Sequence, residues 1–365
     1  MNELDNARKK INEIDEKMAK LFEERMEASN LVAEYKIKHA LPIYDPIREQ
    51  AVINNNTKHI KNNAIKEYYV NFLKETMEIS KKYQSRLMKG MKVAYCGVEG
   101  AFAHIAAIKM FKNAVYVNYP DFASAYEATV NGECDTCVLP LENSYAGEVG
   151  LVMDLMFSGP LFINQVVELE VVHNILGKKG SSLKNIKKVI SHQQALSQCA
   201  KYIDKHSFET IEAQNTAMAA KYVADGDDFS IAAIASTDTA ELYNLEILES
   251  NINTSRNNTT RFGAFSRILN ETPTGSEMSA SSILVFTVKN EAGALAKTLN
   301  IIGSHGFNMR TLRSRPMKEL QWNYYFFVEA DGDINSSDGQ DMIKELSSVC
   351  DRLKVVGTYY SYIEK

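Results

Sequence analysis

Three regimes of hydrophobic patterning divide the chain. From the start, Leu4, Ala7, Ile11, Ile14, Met18, Leu21, Arg25, Ala28, Val32 and Tyr35 step by alternating threes and fours, the spacing of one packing stripe on a long helix. Asp45-Pro46 predicts a second helix, an acid at the N-cap followed by proline at the first helical position. A third is predicted from about Ile65 to Met88, with Leu73, Met77, Ser80, Gln84 and Leu87 along one stripe. After Lys89-Gly90 the pattern changes to short apolar strands (VAYCG, AVYVNY, CVLPL) alternating with helices from about Phe102 and Phe122, which is α/β order. Leu269 to Ala280, with its Pro, Gly and Ser, reads as a linker. Beyond it come ILVFTV, a helix over Gly293 to Ile302, a strand from Phe307, the strand WNYYFFVEA, a helix near Gly339 to Val349 and the strand LKVVGTYY. That βαββαβ order predicts a ferredoxin-like α+β unit. The expected divisions are 1–89 (all-α), 91–268 (α/β), the linker 269–280 and 281–365.

Polar residues inside these apolar patterns mark the candidate chemistry. Arg25 interrupts the first stripe, and a guanidinium there is costly unless an anion meets it. Lys36 follows on nearly the same face, about 16 Å along the helix, so long side chains from both can hold one small dianion. Arg8 lies about 25 Å from Arg25, too far for one small ligand to touch both in a single chain. Arg48 and Glu49 fall in the first turn of the second helix, and Ser80 and Gln84 face inward from the third. In the middle segment an apolar strand runs into Glu142 and Asn143, with Ser144 to Gly147 read as backbone donors at a helix start. SHQQALSQC carries Ser191, His192 and Gln198, and Asn258-Thr259-Thr260-Arg261-Phe262 opens another strand-like run. Three polar clusters at the ends of apolar strands predict one crevice of an α/β domain. The Gly97 to Gly100 turn joins a strand to a helix but lacks the third glycine of a dinucleotide fingerprint.

Composition narrows the function classes. The 365 residues are 24% charged and 45% hydrophobic, as in a soluble globular protein of several domains. A net charge of -5 argues against nucleic acid as a partner. No apolar run is long enough for a membrane helix and the N-terminus lacks a signal peptide's apolar stretch, so a cytoplasmic protein is expected. Five cysteines, an odd number, fit reduced thiols; Cys134 and Cys137 have C-x-x-C spacing without a second ligand pair, which reads as packing rather than metal or redox work.

Taken together, Arg8, Arg25, Lys36, Asp45, Arg48, Glu49, Ser80 and Gln84 resemble the binding set of the all-helical chorismate mutases. The rearrangement of chorismate to prephenate is pericyclic, so cations and amide donors that fold the substrate and meet charge on the breaking ether suffice. By the resemblance, Lys36 and Gln84 reach the ether oxygen, Arg25 and Arg48 with Ser80 the carboxylates, and Glu49 the ring hydroxyl, while Arg8 comes from the partner of an interlocked dimer. The Thr-Arg-Phe tripeptide, the Glu-Asn pair and the Ser-His turn resemble prephenate dehydratase. This implies a fold like a two-lobed periplasmic binding protein, with lobes 91–168 plus 252–268 and 169–251. It places Thr260 on the departing hydroxyl, Asn143, Ser191 and Gln198 as polar contacts, Glu142 orienting the pocket and His192 as the alternative acid. Two departures stand out: Gly100-Ala101-Phe102-Ala103 lacks both hydroxyls of the usual Gly-Thr-Phe-Ser, and Gln193 replaces a proline. Finally, Gly293-Ala294-Leu295-Ala296, Asn308 and Arg313-Ser314-Arg315-Pro316 resemble the two motifs of a phenylalanine-binding ACT domain. Arg313 stands where the family usually has glutamate; pointing at the ligand it would weaken an ammonium contact, and otherwise it forms a new ion pair on the domain surface, the placement expected of it.

The resemblance therefore implies a bifunctional enzyme of phenylalanine biosynthesis acting on chorismate and prephenate, with phenylalanine as effector. It implies no cofactor or metal, and a homodimer or dimer of dimers. Two other readings remain open: an arogenate dehydratase, and a non-catalytic two-lobed solute-binding sensor joined to an ACT domain.

Overall fold

The computed structural model describes residues 2–38, 43, 45–255, 258–269, 278–317 and 323–362. The chain forms two compact units, Met1–Met91 and Lys92–Lys365. Most of the expected linker, 270–277, lies outside the described residues, and the strand after it starts at Met278, earlier than the pattern predicts.

The first unit is helical: α1 (Glu3–Lys38), α2 (Pro46–Thr57) and α3 (Lys66–Lys89). Asp45 caps α2 as predicted, its Oδ1 accepting from Arg48 N at 3.0 Å. Both α1 and α2 pack on α3. The stripe on α1 needs correction, however. Its contacts with the rest of the unit include Arg25, Met26, Ser29, Ala33 and Lys36, whereas Leu4, Ile11, Ile14, Met18, Leu21, Val32 and Tyr35 are exposed. The periodicity is real, but the first half of α1 projects past the helices that could cover it.

The second unit contains three sheets. Sheet A is built from β1 (Lys92–Cys96), α4 (Phe102–Met110), β2 (Val115–Tyr119), α5 (Phe122–Val130), β3 (Thr136–Asn143), β4 (Gly147–Glu148), α6 (Gly150–Ser158) and β5 (Phe162–Glu170). Sheet B follows with β6 (Asn174–Gly177), β7 (Lys188–Ser191), α7 (Gln193–Gln198), α8 (Ala200–His206), β8 (Glu209–Glu212), α9 (Thr216–Asp225), β9 (Ile231–Ala235), α10 (Thr237–Leu242) and β10 (Glu246–Glu249). The chain then returns to sheet A through β11 (Thr259–Ser266), giving strand orders β2-β1-β3-β11-β5 and β10-β6-β9-β7-β8. In both of these sheets three neighbouring strands pair in parallel and the remaining pairings are antiparallel. Two crossings join these lobes, and Asn253 braces them: its Oδ1 accepts from His173 N at 2.7 Å and its Nδ2 donates to Val171 O at 2.8 Å.

Sheet C comprises β12 (Met278–Thr287), α11 (Ala294–Ser304), β13 (Asn308–Pro316), β14 (Tyr324–Asp331), α12 (Ser337–Val349) and β15 (Arg352–Tyr362), ordered β13-β14-β12-β15 and antiparallel throughout. The uninterrupted apolar run in β12 is explained by burial on both faces. Leu284 and Phe286 pack on α11 and α12, while Ile283 and Val285, with Phe327 and Tyr359, join the core beneath sheet A. Tyr325 stacks on Phe157 of α6 at 4.4 Å. The approach is closest at Gly357, where a Cβ would stand 2.3 Å from Ile163 O, so no larger residue fits there without separating β15 from β5.

The five cysteines are free, and burial pushes the Cys137 thiol up to about 12, consistent with an unreactive packing role. Among the described residues no helix is long and apolar enough to cross a membrane.

Candidate active sites

In the first unit a cavity of about 300 Å³ opens between the helices. α1 contributes Arg25, Ser29 and Lys36, α2 contributes Arg48 and Glu49 behind their cap Asp45, and α3 contributes Ser80, Lys81 and Gln84. Four cations (Arg25, Lys36, Arg48, Lys81) thus face two carboxylates (Asp45, Glu49), an excess of positive charge suited to a dianion. Arg25 donates to Ser80 Oγ and to Thr76 O at 3.4 Å. Burial pushes its guanidinium below the ordinary value, the cost expected of a cation placed there for an anionic ligand. Lys36 Nζ bonds Ile43 O at 2.6 Å and Gln84 Oε1 at 3.3 Å, while Gln84 Nε2 is tied to Ser29 Oγ at 3.1 Å. Lys81, which the pattern did not single out, holds Glu49 at 2.9 Å. Every expected residue except Arg8 lines this cavity; Arg8 is exposed on the projecting part of α1.

In the second unit a cleft of about 400 Å³ is lined from both lobes. Its floor is a pair of side chains from adjacent strands. Asn143, at the end of β3, donates from Nδ2 to Thr260 Oγ1 and to Asn258 Oδ1, both at 2.8 Å, and its Oδ1 accepts from Tyr145 N and Ala146 N. Because Thr260 Oγ1 accepts from Asn143, its own proton is left to donate into the cleft, and accepting that bond makes it a better donor. His192 caps α7, its Nδ1 accepting from Gln194 N at 3.2 Å, and Gln198 closes the other end of that helix. Among the described lining residues there is no lysine or arginine. Positive potential comes instead from helix N-termini: Ala101, Val149 and Asn215, the N-caps of α4, α6 and α9, all line the cleft. Neither α4 nor α6 has a side-chain cap, which for α4 follows from alanine standing at position 101 where a hydroxyl is usual.

Four expectations for this cleft are corrected and one residue is added to it. Arg261 and Glu142 point through the sheet to its other face, because neighbours of Thr260 and Asn143 along a strand must alternate. There Arg261 bonds Glu142 at 2.8 Å and Glu329 of β14 at 2.6 Å, with Tyr359 OH at 2.8 Å. Ser191 is fully buried and donates to Ile234 O at 2.6 Å, so it holds β7 to β9 rather than facing substrate. Ser144 to Gly147 form the turn of a β3-β4 hairpin, not a helix start; α6 begins at Gly150. Ser144 itself is used on the chain, Oγ accepting from Thr259 N at 2.9 Å, although Gly147 does line the cleft. His173 was missed: it is 1% exposed, lines the cleft and bonds Gln198 Oε1 at 2.8 Å. A lone histidine in the short crossing after β5 carried no pattern that would have marked it.

On sheet C the expected effector residues separate in the same way. Gly293, Ala294 and Leu295 start α11, with Gly293 at φ 85 and no side-chain cap. Arg313 and Arg315 instead face sheet A: Arg313 bonds Glu148 at 2.6 Å and also Glu142, and Arg315 Nε bonds Asp154 at 3.1 Å. The ion pair expected of Arg313 therefore exists, but it is half-buried between sheets rather than on an outer surface. Ser314 and Pro316 take the opposite, exposed face of β13, and Asn308 at its start bonds Asp331.

The profile of the prephenate dehydratase family matches residues 93–268, and that of type II chorismate mutase residues 7–85. A bifunctional chorismate mutase/prephenate dehydratase from Aquifex aeolicus is 31% identical over 98% of both chains. The chain belongs to the bifunctional chorismate mutase/prephenate dehydratase family. Another member, from Neisseria gonorrhoeae, is 30% identical over 96% of this chain and 95% of its own. A prephenate dehydratase from Arthrobacter aurescens, solved in complex with L-Phe, shares the fold at a TM-score of 0.66, with 24% identity over 74% of this chain and 89% of that one.

Within this family member the ion cluster behind the dehydratase strands is a stability element. Burial alone would raise Glu329, yet the bonds from Arg261 and Tyr359 bring it below the usual carboxylate range. Arg261→Ala strands this carboxylate, 3% exposed, and should destabilise the second unit by about 3–5 kcal/mol. Urea unfolding followed by tyrosine fluorescence checks this, and a midpoint unchanged from the parent would contradict it.

Proposed function

We propose that one polypeptide performs two consecutive reactions, chorismate to prephenate in the helical unit and prephenate to phenylpyruvate in the cleft between sheets A and B. The observation that carries the reading is the contrast between the two sites. The first, rich in cations, meets the charge developing on a breaking ether. The second has a hydroxyl proton poised over a floor of fixed amides. In the first, Lys36 and Gln84 stand together at the ether oxygen, and Arg25 and Arg48 hold the carboxylates. In the second, the C–C bond to the ring carboxylate breaks and its electron pair enters the ring. The hydroxyl opposite leaves as water on accepting a proton through Thr260. Aromatisation supplies the driving force, so a weak acid is enough. Incubating the purified protein with chorismate, prephenate and arogenate separately tests this. Phenylpyruvate from the first two supports it, phenylalanine from arogenate alone indicates an arogenate dehydratase, and no turnover indicates a sensor.

The exposed apolar stripe on α1 fits a second copy of the chain, whose own α1 would lie along it and carry Arg8 to the cavity. The βαββαβ order of sheet C with its two helices supports reading it as an ACT domain, for which phenylalanine is the proposed ligand. The uncapped N–H groups at the start of α11 suit its carboxylate. Adding phenylalanine to about 1 mM should inhibit prephenate turnover, and Gly293→Val should relieve this by disfavouring the left-handed backbone there. Absence of both binding and inhibition in the parent protein would rule the effector out.

A further inference from the structure

We propose that His173 is a positioning residue for the dehydratase reaction, acting through Gln198; the assignment rests on the reading of the cleft as a prephenate site. The ring sits at the crossing between β5 and β6, packed edge-on to Phe102 at 6.2 Å, where Asn253 and Ile252 fix its backbone from both sides. Burial pushes its pKa below the ordinary histidine value, so the imidazole is neutral and carries one proton. Gln198 Oε1 is an acceptor 2.8 Å from Nε2, which places that proton on Nε2; Nδ1 has no partner among the described residues. The bond holds the Gln198 amide in one orientation. Its carbonyl is occupied by the ring, and its NH₂ remains as a donor on the cleft wall.

With no lysine or arginine among its described lining residues, the cleft depends on such fixed neutral donors to orient an anionic substrate, and an amide free to flip would present its oxygen to that anion half of the time. His173 thus sets the sign of the dipole Gln198 offers. It spans the two lobes in doing so, because His173 lies on the crossing and Gln198 on α7 of the second lobe.

The test is a double-mutant cycle on the full chain. His173→Phe keeps the ring volume and removes the donor; turnover of prephenate should fall about tenfold. In a Gln198→Ala background the same change should cost less than about twofold, because its target is gone. His173→Gln, which returns an N–H near the Nε2 position, should recover most of the loss. A His173→Phe protein within twofold of the parent overturns the proposal, as does an equal loss in both backgrounds, the result of a merely structural role. Imidazole ¹⁵N shifts give a readout independent of activity: the Nε2–H tautomer is expected, and an Nδ1–H tautomer or a protonated ring at neutral pH overturns it. Failure of the parent itself to consume prephenate would instead count against the reading of the cleft.

Discussion

Replacing Arg25 or Lys36 with alanine is expected to lower chorismate rearrangement by at least about a hundredfold, the scale for losing one charged group aimed at developing transition-state charge. Prephenate turnover by the same variants should stay within about twofold of the parent, because the residues of the cleft belong to a separate unit and none is altered. Arg25 is held by Ser80 and the Thr76 carbonyl; its removal takes away the charge and one bond from Ser80, whose hydroxyl still donates to Thr76 O at 3.0 Å. Co-expression gives a further outcome. Arg8→Ala and Arg25→Ala, each inactive alone, should regain part of the mutase activity in mixed dimers, since one of the two sites then has Arg8 from one chain and Arg25 from the other. Chorismate consumption by heterodimers purified on two tags reads this directly, and no recovery would place each site within one chain.

Thr260→Ala should reduce kcat for prephenate by about two to three orders of magnitude while KM moves by less than about threefold. The hydroxyl accepts from Asn143 in the resting protein; on the proposed mechanism it gives its proton only as the substrate hydroxyl departs, so the bond that is lost belongs to the transition state. Thr260→Ser keeps the proton and should retain most of the rate. If the alanine variant turned over normally, His192 would become the leading acid.

Periodicity made the elements legible because each helix and strand buries a face with its own repeat. It could not say what covers a face. The stripe from Leu4 to Leu21 was visible in sequence, yet among the described residues nothing buries it. The sites were legible by residue type and less so by direction. Reading Thr260-Arg261-Phe262 as one unit disregards the alternation of a strand, by which Thr260 and Phe262 reach the cleft and Arg261 cannot. Glu142 and Asn143 separate for the same reason, and Arg313 and Arg315 turn from Ser314 on β13. His173 and Lys81 became visible only when topology brought them beside Gln198 and Glu49, residues 25 and 32 positions away in the chain.

The two strands β3 and β11 hold the Asn143–Thr260 pair on one side and the Glu142–Arg261 pair on the other, the latter shared with sheet C. This limits how the protein can be dissected. A chain ended before Met278 would leave Arg261 without its main partner and uncover the apolar surface now buried by Ile283, Val285 and Tyr359. The dehydratase strands therefore cannot be separated from sheet C by deletion, as the parts of a modular enzyme could. Any change meant to alter what sheet C does to the cleft has to be a point substitution made with that sheet retained.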